Sequence, residues 1–223
     1  MRKKIEVGKK VLATNEQYAE ANSRLLSMRK QLCLNLISSP GSGKTTILQE
    51  TIKHLRDKFR IGVIEGDIQT SIDAERIAET KAPAIQINTE GACHLSALQV
   101  SSALEQLPVD ELEIIFIENV GNLVCPSVFE LGENAKVVVL SVPEGDDKCA
   151  KYPGIFARSK VLLINKMDLL EKARMDFDIE RVQRDAKRVN KKIKIMAVSA
   201  KTGIGMQDWY GWLEEQLGYV KSK

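Results

Sequence analysis

The chain has 223 residues, 43% of them hydrophobic, enough for one well-cored domain with a small extension. Its 33 basic and 30 acidic residues leave a net charge of +3, too even a balance to indicate nucleic acid or a membrane surface as partner. No apolar run approaches the ~20 residues of a membrane span, and MRKKIEVGKK lacks the apolar core of a signal peptide, so a soluble cytoplasmic protein is expected.

Residues 9–30 carry Val11, Leu12, Ala19, Leu25, Leu26 and Met28 among polar residues without Pro or Gly. That spacing predicts a helical arm within residues 1–30, ahead of a domain spanning 31–223. LCLNLI (32–37) is a buried-strand pattern that runs through a loop into a helix. RIGVIEGD (60–67) is a second strand ending on an acid, DAERIAET (73–80) a short helix, and APAIQIN (82–88) a third strand. HLSALQVSSALEQL (94–107) predicts a helix with Leu95, Leu98, Ser102, Leu104 and Leu107 near one face. Four more strands follow at EIIFIEN (113–119), KVVVLSV (136–142), KVLLINK (160–166) and KIKIMAVS (192–199), with helices near 176–190 and 206–217. Strands apolar on both faces and separated by helices predict an α/β fold: a mostly parallel sheet of about seven strands covered on both sides. Ligands of such sheets bind at the carboxyl ends of the strands.

SSPGSGKT (38–45) lies at such an end. A phosphate chain needs converging backbone N–H groups, which glycine permits, a lysine for charge and a hydroxyl for Mg²⁺. Gly41, Gly43, Lys44 and Thr45 supply these parts, flanked by Pro40, Ser42 and Thr46. Ser38 stands where the P-loop motif opens on glycine. NKMD (165–168) ends the sixth strand and VSAKTG (198–203) the seventh. An Asp168 carboxylate can accept from both N1–H and the exocyclic amine of guanine, a donor pair adenine lacks, so GTP is the expected nucleotide. Asn165 would position that loop, Lys166 would lie along the base, and Ser199, Ala200 and Lys201 would border it. The plainer reading of Asp168 is a helix N-cap.

Asp67 and Glu118 end strands where Mg²⁺ and water would sit; Thr45, Asp67 and Glu118 are the expected Mg²⁺ ligands. Gly121 closes ENVG, where its N–H can sense the γ-phosphate. Asp73, in the loop a first switch would use, is a candidate for orienting water, with an N-cap as the alternative. Lys44, Asp67, Asp73 and Glu118 are thus the expected catalytic groups. No intrinsic arginine finger is evident, which predicts slow turnover.

Cys33, Cys93, Cys125 and Cys149 are too scattered for a disulfide framework. Cys93 and His94 adjoin in a chain with only two histidines, and Cys125 lies seven residues past Glu118. Thiolate and imidazole suit Ni²⁺ and Zn²⁺, and a helix N-terminus at this point would favour the thiolate. The alternative is two buried cysteines and a capping histidine.

SSPGSGKTT, EGDIQTSIDAERI, the CHL of GACHLSAL, FIENVGNLVCP, SVPEGDDK with KYPG, and NKMDL resemble the HypB family of GTPases over about residues 10–217. The resemblance implies a P-loop GTPase of the SIMIBI class that assists nickel insertion into [NiFe]-hydrogenase. It further implies a homodimer on GTP binding, metal held at the dimer interface by Cys93, His94 and Cys125, and HypA and the hydrogenase large subunit as partners. Lys148, in EGDDK, becomes a candidate for reaching nucleotide across the dimer. The chain departs from the family in three respects. It lacks the N-terminal cysteine motif and His-rich tract of some members, so N-terminal nickel storage is not predicted. Ser96 stands where Asp often follows CHL, and Cys149 stands where Pro is common. The related urease chaperone UreG carries Cys-Pro-His, whereas Cys93 and His94 adjoin directly. A UreG-like chaperone, a small-molecule P-loop kinase and a metal carrier that does not hydrolyse nucleotide are the alternatives.

Overall fold

The computed structural model describes the backbone of residues 7–67, 72–172 and 175–223; the side chains of 7–10, 67, 72–74 and 171–172 lie outside the description. In chain order the elements are α1 (Val7–Met28), β1 (Leu32–Ser38), α2 (Lys44–Leu55), β2 (Ile61–Asp67), α3 (Ile72–Ala78), β3 (Ala84–Asn88) and α4 (Ala97–Gln106). There follow β4 (Ile114–Glu118), β5 (Ala135–Ser141), α5 (Lys148–Lys151), α6 (Pro153–Arg158), β6 (Ser159–Asn165), α7 (Asp168–Lys172), α8 (Ile179–Val189), β7 (Lys194–Ala197) and α9 (Met206–Ser222).

The seven strands form one sheet in the order β3-β2-β4-β1-β5-β6-β7, and every pairing is parallel. Strand alternation divides the core in two. Leu32, Leu34 and Leu36 of β1, with Phe116, Val137 and Leu163 beside them, face α2 and α9, where Trp209 is fully buried. Cys33, Ile115 and Ile117 face α1 and α4, while Val138, Leu140, Leu162 and Ile164 meet α6 and α8. Both faces being covered explains why β1, β4 and β5 are buried at every position, whereas the edge strand β3 alternates. The α/β class, the parallel sheet and the helical arm follow the sequence expectation.

Helix α1 is tied down by polar as well as apolar contacts. Leu26 packs with Val100, Ala103 and Leu104, and the buried Asn22 amide donates to Ala97 O and Leu131 O at 2.9 Å. Asn15 accepts from Ala97 N at 2.8 Å.

Some boundaries differ from expectation. The helix read over 94–107 begins at Ala97 because Ser96 caps it, accepting from Gln99 N at 3.3 Å in a capping box. Cys93 and His94 therefore precede the helix rather than open it, and proximity to the helix dipole does not explain their chemistry. Leu98, assigned to the apolar face, is 48% exposed; Val100, Ala103 and Leu104 fill the core instead. The strand read over 192–199 shortens to Lys194–Ala197. Helices α5 and α6 had no sequence forecast: each is under two turns, too short to show helical periodicity.

Candidate functional site

The carboxyl ends of β1, β2 and β4 surround a cleft of about 410 Å³. Gly41 and Gly43 sit at φ 75° and 92°, and a Cβ on Gly43 would meet Asn165 Nδ2 at 2.6 Å. Glycine alone tolerates that backbone together with so close a neighbour. Lys44 is buried, with Nζ donating to Ser38 Oγ at 2.8 Å, so the serine that replaces the first motif glycine holds the motif lysine. Thr45 Oγ1 donates to Glu118 Oε1 at 2.8 Å and joins the P-loop to the end of β4. A hydroxyl and a carboxylate side by side form an all-oxygen donor set that fits Mg²⁺. Gly121 presses on the P-loop: a Cβ there would lie 2.9 Å from Pro40 N. Asp67 closes β2 and Asp73 lies in α3, but both side chains fall outside the described residues.

Three residues of this region escaped the sequence reading. Arg76 lines the cleft, its guanidinium donating to Thr46 Oγ1 at 2.9 Å and Gln49 Oε1 at 2.8 Å. Its signal was its place three residues after Asp73, on α3. Glu144 braces the P-loop from the far side, with Oε2 2.7 Å from Ser42 Oγ and from Ser141 N. Asn119, buried at the end of β4, joins several segments and had no signal in the pattern.

A second cleft, of about 300 Å³, opens beyond Gly43 and Thr46 toward Asp168, Leu169 and Lys201. Asn165 spans two loops: its Nδ2 donates to Ser42 O at 2.9 Å and its Oδ1 accepts from Ala200 N at 3.2 Å. Lys166, at φ 63°, donates to Gly41 O. Asp168 is the first residue of α7, and its Oδ1 accepts from Ser199 Oγ at 2.6 Å, which fixes the carboxylate at the cleft.

The thiols and imidazole converge as well. Cys93 follows a turn in which Glu90 and Gly91 take positive φ, and Cys125 opens a single 3-10 turn, Cys125–Ser127. Cys93 Sγ lies 2.9 Å from Cys125 Sγ and 3.5 Å from His94 Nδ1. One ligand atom from each residue falls within 4.8 Å of the other two. The His94 ring packs on Phe129 at 3.9 Å between centroids, and burial lowers its pKa, favouring the neutral form that ligates metal. The hydrogen bond with Cys93, then burial and the Cys93 charge, raise the Cys125 thiol above its ordinary value. Cys33 and Cys149 are buried elsewhere, and burial pushes Cys149 up to about 12. Lys148 opens α5, with its ammonium 5.7 Å from the centre of the Tyr152 ring.

Comparison with known proteins agrees with this arrangement. Residues 32–197, from the first residue of β1 to the last of β7, match the family described as "CobW/HypB/UreG, nucleotide-binding domain". Hydrogenase maturation factor HypB of Escherichia coli K12 is 52% identical over 215 residues, covering 96% of this chain and 73% of that protein.

The chain belongs to the HypB family.

Two solved HypB structures share its fold. The one from Archaeoglobus fulgidus has a TM-score of 0.85 at 37% identity, covering 92% of this chain and 100% of that one. HypB from Helicobacter pylori, crystallised in complex with nickel, has a TM-score of 0.86 at 36% identity, covering 92% and 96%. Within the HypB frame, the family match contains the P-loop, NKMD and all three residues of the thiol–imidazole cluster.

Proposed function

We infer that the chain is a GTP-hydrolysing metallochaperone that delivers nickel during [NiFe]-hydrogenase maturation. One observation carries the reading: Cys93, His94 and Cys125 converge within 4.8 Å, and the run leading to Cys125 starts at Glu118–Gly121, which line the P-loop cleft. Nickel is the cargo, and the cluster offers it two sulfurs and one nitrogen. The same donors suit Zn²⁺, so metal selection rests on geometry and supply. The solved HypB with nickel supports the choice of Ni²⁺.

For hydrolysis, the P-loop amides and Lys44 hold the phosphates while Asp168 and Asn165 fix the base loop. Water attacks the γ-phosphorus, the bond to the bridging oxygen breaks, and GDP and phosphate leave; catalysis is positional and electrostatic. Thr45 and Glu118, with Asp67, would hold Mg²⁺, which when bound neutralises phosphate charge. Asp73 is the candidate for orienting water, and Gly121 for sensing the γ-phosphate.

A homodimer formed with GTP is part of this proposal. Three ligands leave a four-ligand shell one short, and Val124 and Val128, on either side of Cys125, are 57% and 48% exposed. Such apolar surface beside an incomplete shell suits a second copy of the chain. HypA and the hydrogenase large subunit are the proposed partners for loading and delivery. Lys148 is the proposed cross-dimer contact to nucleotide.

The test is a Ni²⁺ titration of the parent, Cys93→Ser, His94→Ala and Cys125→Ser proteins, with GTP binding as a control. Loss of one ligand should weaken Ni²⁺ binding by about tenfold or more, roughly 1.4 kcal/mol, with GTP affinity retained. Parent-like Ni²⁺ affinity in all three variants would overturn the ligand assignment.

A further inference from the structure

Glu118, Asn119, Val120 and Gly121 follow one another at the end of β4, and each of three neighbours in this run touches a different part of the site. Glu118 accepts from Thr45, Gly121 packs on Pro40, and Asn119, 2% exposed at the edge of the same cleft, reaches into the protein. Its Oδ1 accepts from Leu95 N at 3.2 Å and from Val120 N at 3.0 Å. Its Nδ2 donates to Asn35 Oδ1 at 3.2 Å, and its own backbone N–H donates to Leu36 O on β1 at 3.0 Å.

Leu95 directly follows the Cys93–His94 pair. Its backbone N–H is held by Asn119, and its side chain lies over Gly66, where an added Cβ would meet Leu95 Cγ at 2.7 Å. The metal loop is therefore clamped between the ends of β2 and β4, the strands that carry Asp67 and Glu118. Asn35 completes the anchor. It donates from Nδ2 to Glu133 Oε1 at 2.9 Å, and Glu133 Oε1 also meets the buried Lys136 ammonium at 3.1 Å.

We propose that Asn119 is the positioning residue that couples nucleotide state to metal affinity. A shift of the 118–121 run against the P-loop moves the Asn119 carbonyl, and that oxygen holds both the loop bearing Cys93 and His94 and the run leading to Cys125. A buried amide with several bonds has few ways to relax, because each group left unmatched carries a desolvation cost. The inference rests on the reading of Cys93, His94 and Cys125 as the nickel ligands and of the P-loop as the GTP site.

The experiment measures Ni²⁺ affinity of the parent and Asn119→Ala proteins, each with GDP and with a non-hydrolysable GTP analogue. The parent should show a ratio between the two states of about 5–150-fold, the usual range of allosteric coupling. In Asn119→Ala that ratio should fall to within about twofold of one, while GTP-analogue binding and Ni²⁺ binding persist. A variant that merely loosened the fold would weaken every affinity and leave the ratio alone. A parent-like ratio in Asn119→Ala overturns the proposal and leaves the site reading standing; failure of the parent to bind Ni²⁺ overturns the site reading itself. A second measurement needs no variant. Amide exchange of Leu95 and Val120 in the unmodified protein should change together when GDP is replaced by the analogue, and constancy at Leu95 overturns the proposal.

Discussion

Asp168 is proposed as the base-reading residue because NKMD closes a strand, and in the structure its carboxylate accepts from Ser199 at the second cleft. Asp168→Asn replaces an acceptor by an amide at the point where guanine offers two donors. Guanine-nucleotide affinity should drop about 10–150-fold, the worth of a charged hydrogen bond at ~1.5–3 kcal/mol, with preference moving toward xanthine nucleotides. Direct titration with GDP and XDP checks this; unchanged guanine affinity would remove Asp168 from the base site. The thiols give a second residue-level test. Cys93 and Cys125 reach solvent, whereas Cys33 and Cys149 are fully buried and burial raises both of their pKa values. With Cys149 pushed up to about 12, the native protein at pH 8 keeps it as the unreactive neutral thiol. Native alkylation followed by mass mapping should mark Cys93 and Cys125 first, and Ni²⁺ should protect them; rapid labelling of Cys149 would contradict its placement.

Elements were legible wherever a pattern ran long enough. β1, β4 and β5 read closely because burial on both faces demands unbroken apolar runs, whereas the edge strand β3 alternates and the last strand shortens to Lys194–Ala197. The start of α4 was misread because Leu95 is apolar and adjoins the helical pattern, yet it serves the loop by filling the space over Gly66. Ser96 then caps the helix, a role for which serine is among the favoured residues. Gly121 belongs to the same scale: what matters is how closely the segment after β4 approaches the P-loop. Gly121→Ala forces a Cβ to 2.9 Å from Pro40 backbone, so the P-loop must shift. Overpacking of this kind costs ~1–3 kcal/mol, and GTP affinity should fall about tenfold or more while Asp168 and the base cleft stay intact. Parent-like GTP binding by Gly121→Ala would show that the P-loop yields without consequence.

At the scale of the whole molecule, the sheet order places β1 between β4 and β5, with β2 beyond β4, and so gathers the P-loop, Glu118 and the end of β2 around one cleft. That gathering was legible from motif order alone. The connection from cleft to metal loop was not, because it runs through two single side chains, Asn119 and Asn35, which no periodicity singles out. Membrane insertion has no helical basis here: among the described residues no helix is long and apolar enough to cross a bilayer. Where one protein binds GTP and nickel at sites that sense each other, linkage makes the coupling quantitative. If GTP changes nickel affinity by some factor, nickel changes GTP affinity by the same factor. The direct measurement is a pair of titrations on the unmodified protein: Ni²⁺ in the presence of GDP or a non-hydrolysable GTP analogue, and both nucleotides with or without Ni²⁺. Two matching factors of about 5–150 are expected, corresponding to ~1–3 kcal/mol. Equal Ni²⁺ affinity in the two nucleotide states would show that the two sites are independent.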